Sequence, residues 1–113
     1  MMHIKDFKDK TIHFTGIGGV SMSGLALMLV KAGYRVTGSD QKESETLQQL
    51  RAIGIPCAVG HKPEFVEDAG LVVRTAAISD GNPEITMARQ LGIPVMERGT
   101  LLGQLMQDYD EVI

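Results

Sequence analysis

The apolar residues fall into short runs punctuated by glycine and proline, and two periods alternate along the chain. Thr11–Thr15 carries Ile12 and Phe14 at alternate places, the pattern of a strand. Residues 21–32 then read as a helix, with Met22, Leu25 and Leu29 on one face and Leu27, Met28 and Val30 widening it, as suits a helix lying on a sheet. Residues 35–39 predict a second strand. Residues 44–53 predict a second helix, with Ser44 as its cap and Leu47, Leu50 and Ile53 as its stripe. A short strand is expected at Cys57–Val59, one helical turn at 63–67 and a strand at 71–75. Residues 83–91 predict a third helix, capped by Asn82 with Pro83 at its first position. A strand at 95–96 and a helix at 100–107 follow, and residues 111–113 read as the opening of a further strand.

One junction recurs three times: Ala32-Gly33-Tyr34-Arg35-Val36, Ile53-Gly54-Ile55-Pro56-Cys57 and Leu91-Gly92-Ile93-Pro94-Val95. A glycine just past a helix end accepts the left-handed conformation without a Cβ penalty, and a proline opens a strand but cannot continue a helix. Alternating β and α units of this kind favour an α/β fold with a mostly parallel sheet of about five strands.

The densest chemical signal is Gly16-Ile17-Gly18-Gly19-Val20-Ser21-Met22-Ser23-Gly24, between the first strand and the first helix. Gly16 suits a tight turn. Gly18 and Gly19 are expected to let the backbone approach a ligand, so that a side chain at Gly18 fills ligand space. Successive N–H groups at the helix start make a diphosphate cradle. The string is close to the dinucleotide-binding fingerprint, with Ser21 at the third position in place of glycine or alanine. Asp40 ends the second strand, where an acid commonly accepts from a ribose hydroxyl. These features are shared by nicotinamide-dependent oxidoreductases and by nucleotide-binding regulatory modules, which remain alternative readings.

The 113 residues suit one domain. A net charge of −3 argues against a nucleic-acid-binding surface. Residues 11–30 carry no charged side chain, yet glycines and hydroxyl residues interrupt them, so no membrane span is expected. Cys57 is the single cysteine and the three histidines lack ligand spacing, so neither a disulfide nor a metal site is expected. Cys57, Met22 and Met28 read as packing residues, His13 as structural, and the acidic run at 108–111 as a solvated connection. The protein is expected to be cytoplasmic.

The string His13-Phe14-Thr15-Gly16-Ile17-Gly18-Gly19-Val20-Ser21-Met22-Ser23-Gly24 resembles the opening of the Mur ligases. Gly38-Ser39-Asp40, Gly60-His61, Val72-Val73-Arg74-Thr75-Ala76-Ala77-Ile78, Asn82-Pro83-Glu84, Gly92-Ile93-Pro94-Val95 and Arg98 follow in that family's order. The resemblance covers the chain from about Lys10 onward. It implies a Rossmann-like three-layer α/β/α domain, residues 1–113, that holds the UDP part of UDP-N-acetylmuramate. The parent ligase would add L-alanine in peptidoglycan-precursor synthesis, or a recycled peptide in close cousins. ATP and Mg²⁺ would be held by a further domain of the same polypeptide, and a third domain would complete the amino-acid site. No cofactor is expected in this fragment, which alone is expected to be inactive, and no catalytic residue is assigned to it. The residues Gly16, Ile17, Gly18, Gly19, Val20, Ser21, Met22 and Ser23 are implied to wrap the diphosphate. Asp40 and Gln41 would sit by ribose or uracil, His61, Thr75 and Ala76 would line the uridine side, and Arg98 would face phosphate or sugar. Thr75-Ala76 stands where the family commonly has a serine pair.

Overall fold

Each glycine junction ends a helix and starts a strand, and Gly33, Gly54 and Gly92 all take positive φ (94°, 99° and 73°). The computed structural model describes residues 2–112, with side chains as far as residue 107. Its strands are β1 (Thr11–Thr15), β2 (Arg35–Asp40), β3 (Cys57–Val59), β4 (Leu71–Arg74) and β5 (Val95–Glu97). Its helices are α1 (Val20–Lys31), α2 (Glu45–Ala52), α3 (Pro83–Gln90) and α4 (Arg98–Val112). The expected caps are in place: Ser44 Oγ accepts from the Leu47 N–H at 3.2 Å and Asn82 Oδ1 from the Glu84 N–H at 2.9 Å.

The strands form one sheet in the order β3-β2-β1-β4-β5, and every pairing is parallel. Phe14 lies opposite Gly38 on one side and Val73 on the other, which fixes the register of the three inner strands. Because side chains alternate across a strand, Ile12, Phe14, Val36, Val73 and Met96 share one core. They pack there with Leu25, Leu29, Leu47, Leu50 and Leu101 from α1, α2 and α4. The opposite side holds a smaller apolar cluster of Val66, Val72, Ile85 and Ala88, beneath α3 and the 3₁₀ turn Pro63–Val66. These are the three layers expected of an α/β/α sandwich.

Three features depart from the sequence expectations. A 3₁₀ turn at Ile4–Phe7 buries Ile4 and Phe7 in the larger core, and the Ile4 N–H donates to Gln104 Oε1 at 2.8 Å. The sequence pattern predicts no element there. Strand β4 stops at Arg74, because the Thr75 carbonyl turns to accept from the Ile78 N–H at 3.1 Å. Helix α4 starts at Arg98 and runs through Val112, so the acidic run is helical rather than a connection, and Glu111 and Val112 continue the helix instead of opening a strand. No glycine or proline interrupts residues 104–112, so nothing local stops the helix. The third residue of that expected strand, Ile113, lies outside the described residues. No helix is long and apolar enough to cross a membrane among the described residues.

Candidate functional site

Strands β2 and β4 flank β1, and the chain leaves the ends of β1 and β4 in opposite directions. Open α/β sheets bind ligands in the crevice this creates, at the carboxyl ends of the strands. A cleft of about 380 Å³ lies there, and every strand end contributes to it. Gly16 follows β1, Asp40 ends β2 and Gln41 follows it, His61 follows β3, Thr75 follows β4 and Arg98 follows β5. Gly19, Val20, Ser21 and Met22 supply the wall formed by the start of α1. Ala77 and Ile78, which the sequence reading did not single out, complete the lining.

Four predicted site residues lie off this cleft. Ile17 is fully buried in the larger core, and Gly38 is glycine opposite it because a Cβ there would lie 2.4 Å from Ile17 Cδ1. Ser23 is drawn into α1, its N–H donating to the Gly19 carbonyl at 2.8 Å and its hydroxyl to the Val20 carbonyl at 3.1 Å. Ala76 is exposed and lies off the lining, to which Ala77 and Ile78 of the same turn contribute instead. Gly18 donates its N–H to Asp40 Oδ2 at 2.8 Å. A Cβ at Gly18 would lie 2.7 Å from that same oxygen. The Asp40 carboxylate by itself therefore requires glycine at this position.

The glycine turn spends most of its donors internally. Gly16 and Ile17 donate to the Ser39 carbonyl at 2.8 and 3.0 Å, and Gly19 donates to the Gly16 carbonyl at 3.3 Å. Val20, Ser21 and Met22 donate to nothing among the described residues. They are the open first turn of α1, whose N-cap Gly19 has no side chain to satisfy them. The unused donors are thus fewer than the Gly16–Ser23 stretch the sequence predicts and begin at Val20. Arg98 Nη1 reaches across to Ser21 Oγ at 3.1 Å and brings a guanidinium to the same rim. Asp40 is tied by one oxygen to the glycine turn, and the Gly60 N–H donates to its carbonyl at 2.6 Å. The carboxylate is thereby fixed at the lip of the cleft.

Beneath the cleft lies a residue whose role sequence reasoning missed. Glu84, in the first turn of α3, is completely buried against β1 and β2. Its Oε1 accepts from Ser39 Oγ at 2.7 Å, Thr15 Oγ1 at 2.8 Å and His13 Nε2 at 2.9 Å. Its Oε2 accepts from the Lys62 N–H at 3.1 Å and lies 3.5 Å from His61 Nδ1. His61 Nδ1 in turn meets Ser39 Oγ at 3.0 Å, and His13 Nδ1 meets Thr37 Oγ1 at 2.8 Å. Burial pushes the Glu84 carboxyl up, but the hydrogen bond and charge of His13, with the Ser39 and Thr15 hydroxyls, outweigh it and hold the group below its ordinary range. The carboxylate is ionised and fully hydrogen-bonded. The available signal was polar residues alternating with Ile12 and Phe14 in a central parallel strand, which is normally apolar on both faces.

A larger cleft, about 600 Å³, opens at the other end of β2 and β3 and is lined by residues such as Thr11, Thr37, Phe65 and Ala69. It has no helix start, and its charged Arg51 is already paired with Glu43 at 2.7 Å.

Comparison with known proteins agrees with this geometry. Residues 11–110 match the Mur ligase family, catalytic domain. The chain belongs to that family. It is 49% identical over 106 residues to a UDP-N-acetylmuramate–L-alanine ligase of Clostridium botulinum (strain Eklund 17B / Type B), a match covering 94% of this chain and 23% of that protein. Among solved structures, UDP-N-acetylmuramate–alanine ligase MurC from Thermotoga maritima superposes with a TM-score of 0.84 at 38% identity, over 88% of this chain and 23% of that one. The UDP-N-acetylmuramate:L-alanyl-γ-D-glutamyl-meso-diaminopimelate ligase from Neisseria meningitides superposes at 0.72 with 32% identity, over 79% and 28%. The chain therefore spans about a quarter of the length of these Mur ligases.

Proposed function

We propose that this chain is the nucleotide-sugar-binding domain of an ATP-dependent ligase that joins L-alanine to UDP-N-acetylmuramate for peptidoglycan-precursor synthesis in the cytoplasm. The observation that carries the reading is the convergence of three unused N–H groups, Val20 to Met22, with the Arg98 guanidinium at the carboxyl edge of the sheet. Dipole-aligned N–H groups and a guanidinium suit a diphosphate. Asp40 and Gln41 stand on one side of that cradle and His61 and Thr75 on others, positioned for the ribose and the base.

ATP and Mg²⁺ do not fit the residues present. No Gly-Lys-Thr or Gly-Lys-Ser tripeptide occurs in the sequence, and no three acidic, histidine or cysteine side chains converge on a metal position among the described residues. No phosphoryl-transfer step is assigned to this chain. Both would belong to the remainder of a longer polypeptide, as would the acceptor site. L-alanine as acceptor is supported by the 49% identity to an alanine-adding relative. A peptide acceptor is the second reading, favoured by the 0.72 superposition on a peptide-adding ligase.

Isothermal calorimetry of the chain with UDP-N-acetylmuramate, and with NADPH in parallel, tests the proposal. Saturable heat with the UDP-sugar and none with NADPH is expected. Saturation by NADPH alone would overturn it.

A further inference from the structure

The Glu84 cluster fixes more than the fold. A serine hydroxyl has one proton, and Ser39 has two close neighbours, Glu84 Oε1 at 2.7 Å and His61 Nδ1 at 3.0 Å. Two unprotonated oxygens 2.7 Å apart in a buried place would repel strongly, so the proton lies between Ser39 and the carboxylate. Ser39 Oγ can then only accept from His61. Glu84 Oε2, 3.5 Å from the same ring nitrogen, works in the same direction, because a lone pair on Nδ1 would face a carboxylate. The proton of a neutral His61 ring therefore sits on Nδ1, and Nε2 carries the lone pair. No group among the described residues hydrogen-bonds Nε2, while His61 lines the cleft with its side chain only 7% exposed.

We infer that Glu84 and Ser39 are positioning residues that hold His61 in its Nδ1–H tautomer, so that Nε2 enters the cleft as a hydrogen-bond acceptor and selects a nucleoside bearing a donor there, a ribose hydroxyl or an imide N–H. The second half rests on the cleft being the nucleotide site; the first half does not. Glu84 reaches His61 through the same oxygen pair that ties Thr15 of β1, Ser39 of β2 and Lys62 after β3 together. The ring is consequently oriented by three strand ends at once. A histidine held this way discriminates by the penalty of leaving its acceptor unpaired.

Two measurements test the inference. Long-range ¹H–¹⁵N spectra of the ligand-free chain, at a pH where the ring is neutral, read the tautomer directly. His61 is expected to show a pyrrole-like Nδ1 and a pyridine-like Nε2. In Ser39→Ala the signature should move toward the Nε2–H form, and in Ser39→Thr, which restores a hydroxyl, it should return. An Nε2–H ring in the unmodified chain overturns the positioning claim, and an unchanged Nδ1–H ring in Ser39→Ala overturns the part assigned to Ser39, leaving the Glu84 contact at 3.5 Å to hold the tautomer alone. These spectra need no ligand, so they judge that claim even if UDP fails to bind and the nucleotide reading falls. Titration with UDP, 2′-deoxy-UDP and N3-methyl-UDP then tests selection. One analogue should bind about tenfold more weakly than UDP, the loss of one hydrogen bond, and that difference should vanish in His61→Ala. Equal losses in both proteins for both analogues would overturn the acceptor role.

Discussion

The two faces of one sheet do different work. On the α1, α2 and α4 side, Ile12, Phe14, Val36 and Met96 form a continuous apolar core. On the α3 side the same strands turn the alternate residues His13, Thr15, Thr37 and Ser39 inward, and a buried carboxylate gathers three of those four. The first face stabilises by volume and tolerates changes of shape that keep it. The second stabilises only while each donor keeps its acceptor, because a buried polar group left alone costs more than its bond contributes. The difference teaches why the carboxyl edge of β2 can carry a ligand site: its shape is set by directional bonds from below and not by soft packing.

Truncation on either face should give the largest effects and separate the two. Phe14→Ala is expected to lower unfolding free energy by about 3–5 kcal/mol through cavity formation, yet leave the His61 environment unchanged in nitrogen spectra. Glu84→Ala should lower it by a similar figure, about 3–5 kcal/mol, because His13, Thr15 and Ser39 lose their common acceptor. It should also disturb His61. Urea unfolding followed with those spectra checks both; an intact His61 signature in folded Glu84→Ala would erase the distinction.

Gly18→Ala sharpens the comparison at the cleft. Its Cβ would meet Asp40 Oδ2 at 2.7 Å, so the carboxylate must swing away. UDP affinity is expected to fall about tenfold, with the fold retained, as calorimetry would report. Unchanged affinity would free Asp40 of any part in binding.

The polar face should also be the acid-sensitive one. Glu84 is held below the ordinary 4.5 of a glutamate, so its contribution to stability is present above that value. It is lost as pH falls through the depressed folded value, where the native state must take up the proton. Stability measured against pH should decline in acid less steeply in Glu84→Gln than in the unmodified chain. The smallest effect is expected from Ser44→Ala, about 1 kcal/mol by urea unfolding, since it removes only the cap of α2.

Much of this architecture was legible from local chemistry. Gly33, Gly54 and Gly92 mark helix ends because only glycine takes their positive φ cheaply, and Ser44 and Asn82 mark helix starts by capping. Strand-end residues Asp40, His61, Thr75 and Arg98 came together because parallel topology puts every carboxyl end on one edge. What was not legible depended on contacts distant in sequence. Glu84 reads locally as an ordinary acid in a first helical turn, and only its partners on β1 and β2 make it the keystone of the floor. The Gly18 donor reads as a ligand contact, but a tertiary bond to Asp40 takes it up. The Ile4–Phe7 turn was missed because its two apolar residues gain meaning only from the core they enter.

The most direct measurement is an amide NMR titration of the chain with UDP. The account predicts shifts concentrated at Val20, Ser21, Met22, Asp40, Gln41, His61, Thr75 and Arg98, with Thr37, Phe65 and Ala69 unmoved. Shifts confined to the cleft around Thr37, Phe65 and Ala69, or no shifts at saturating UDP, would contradict it.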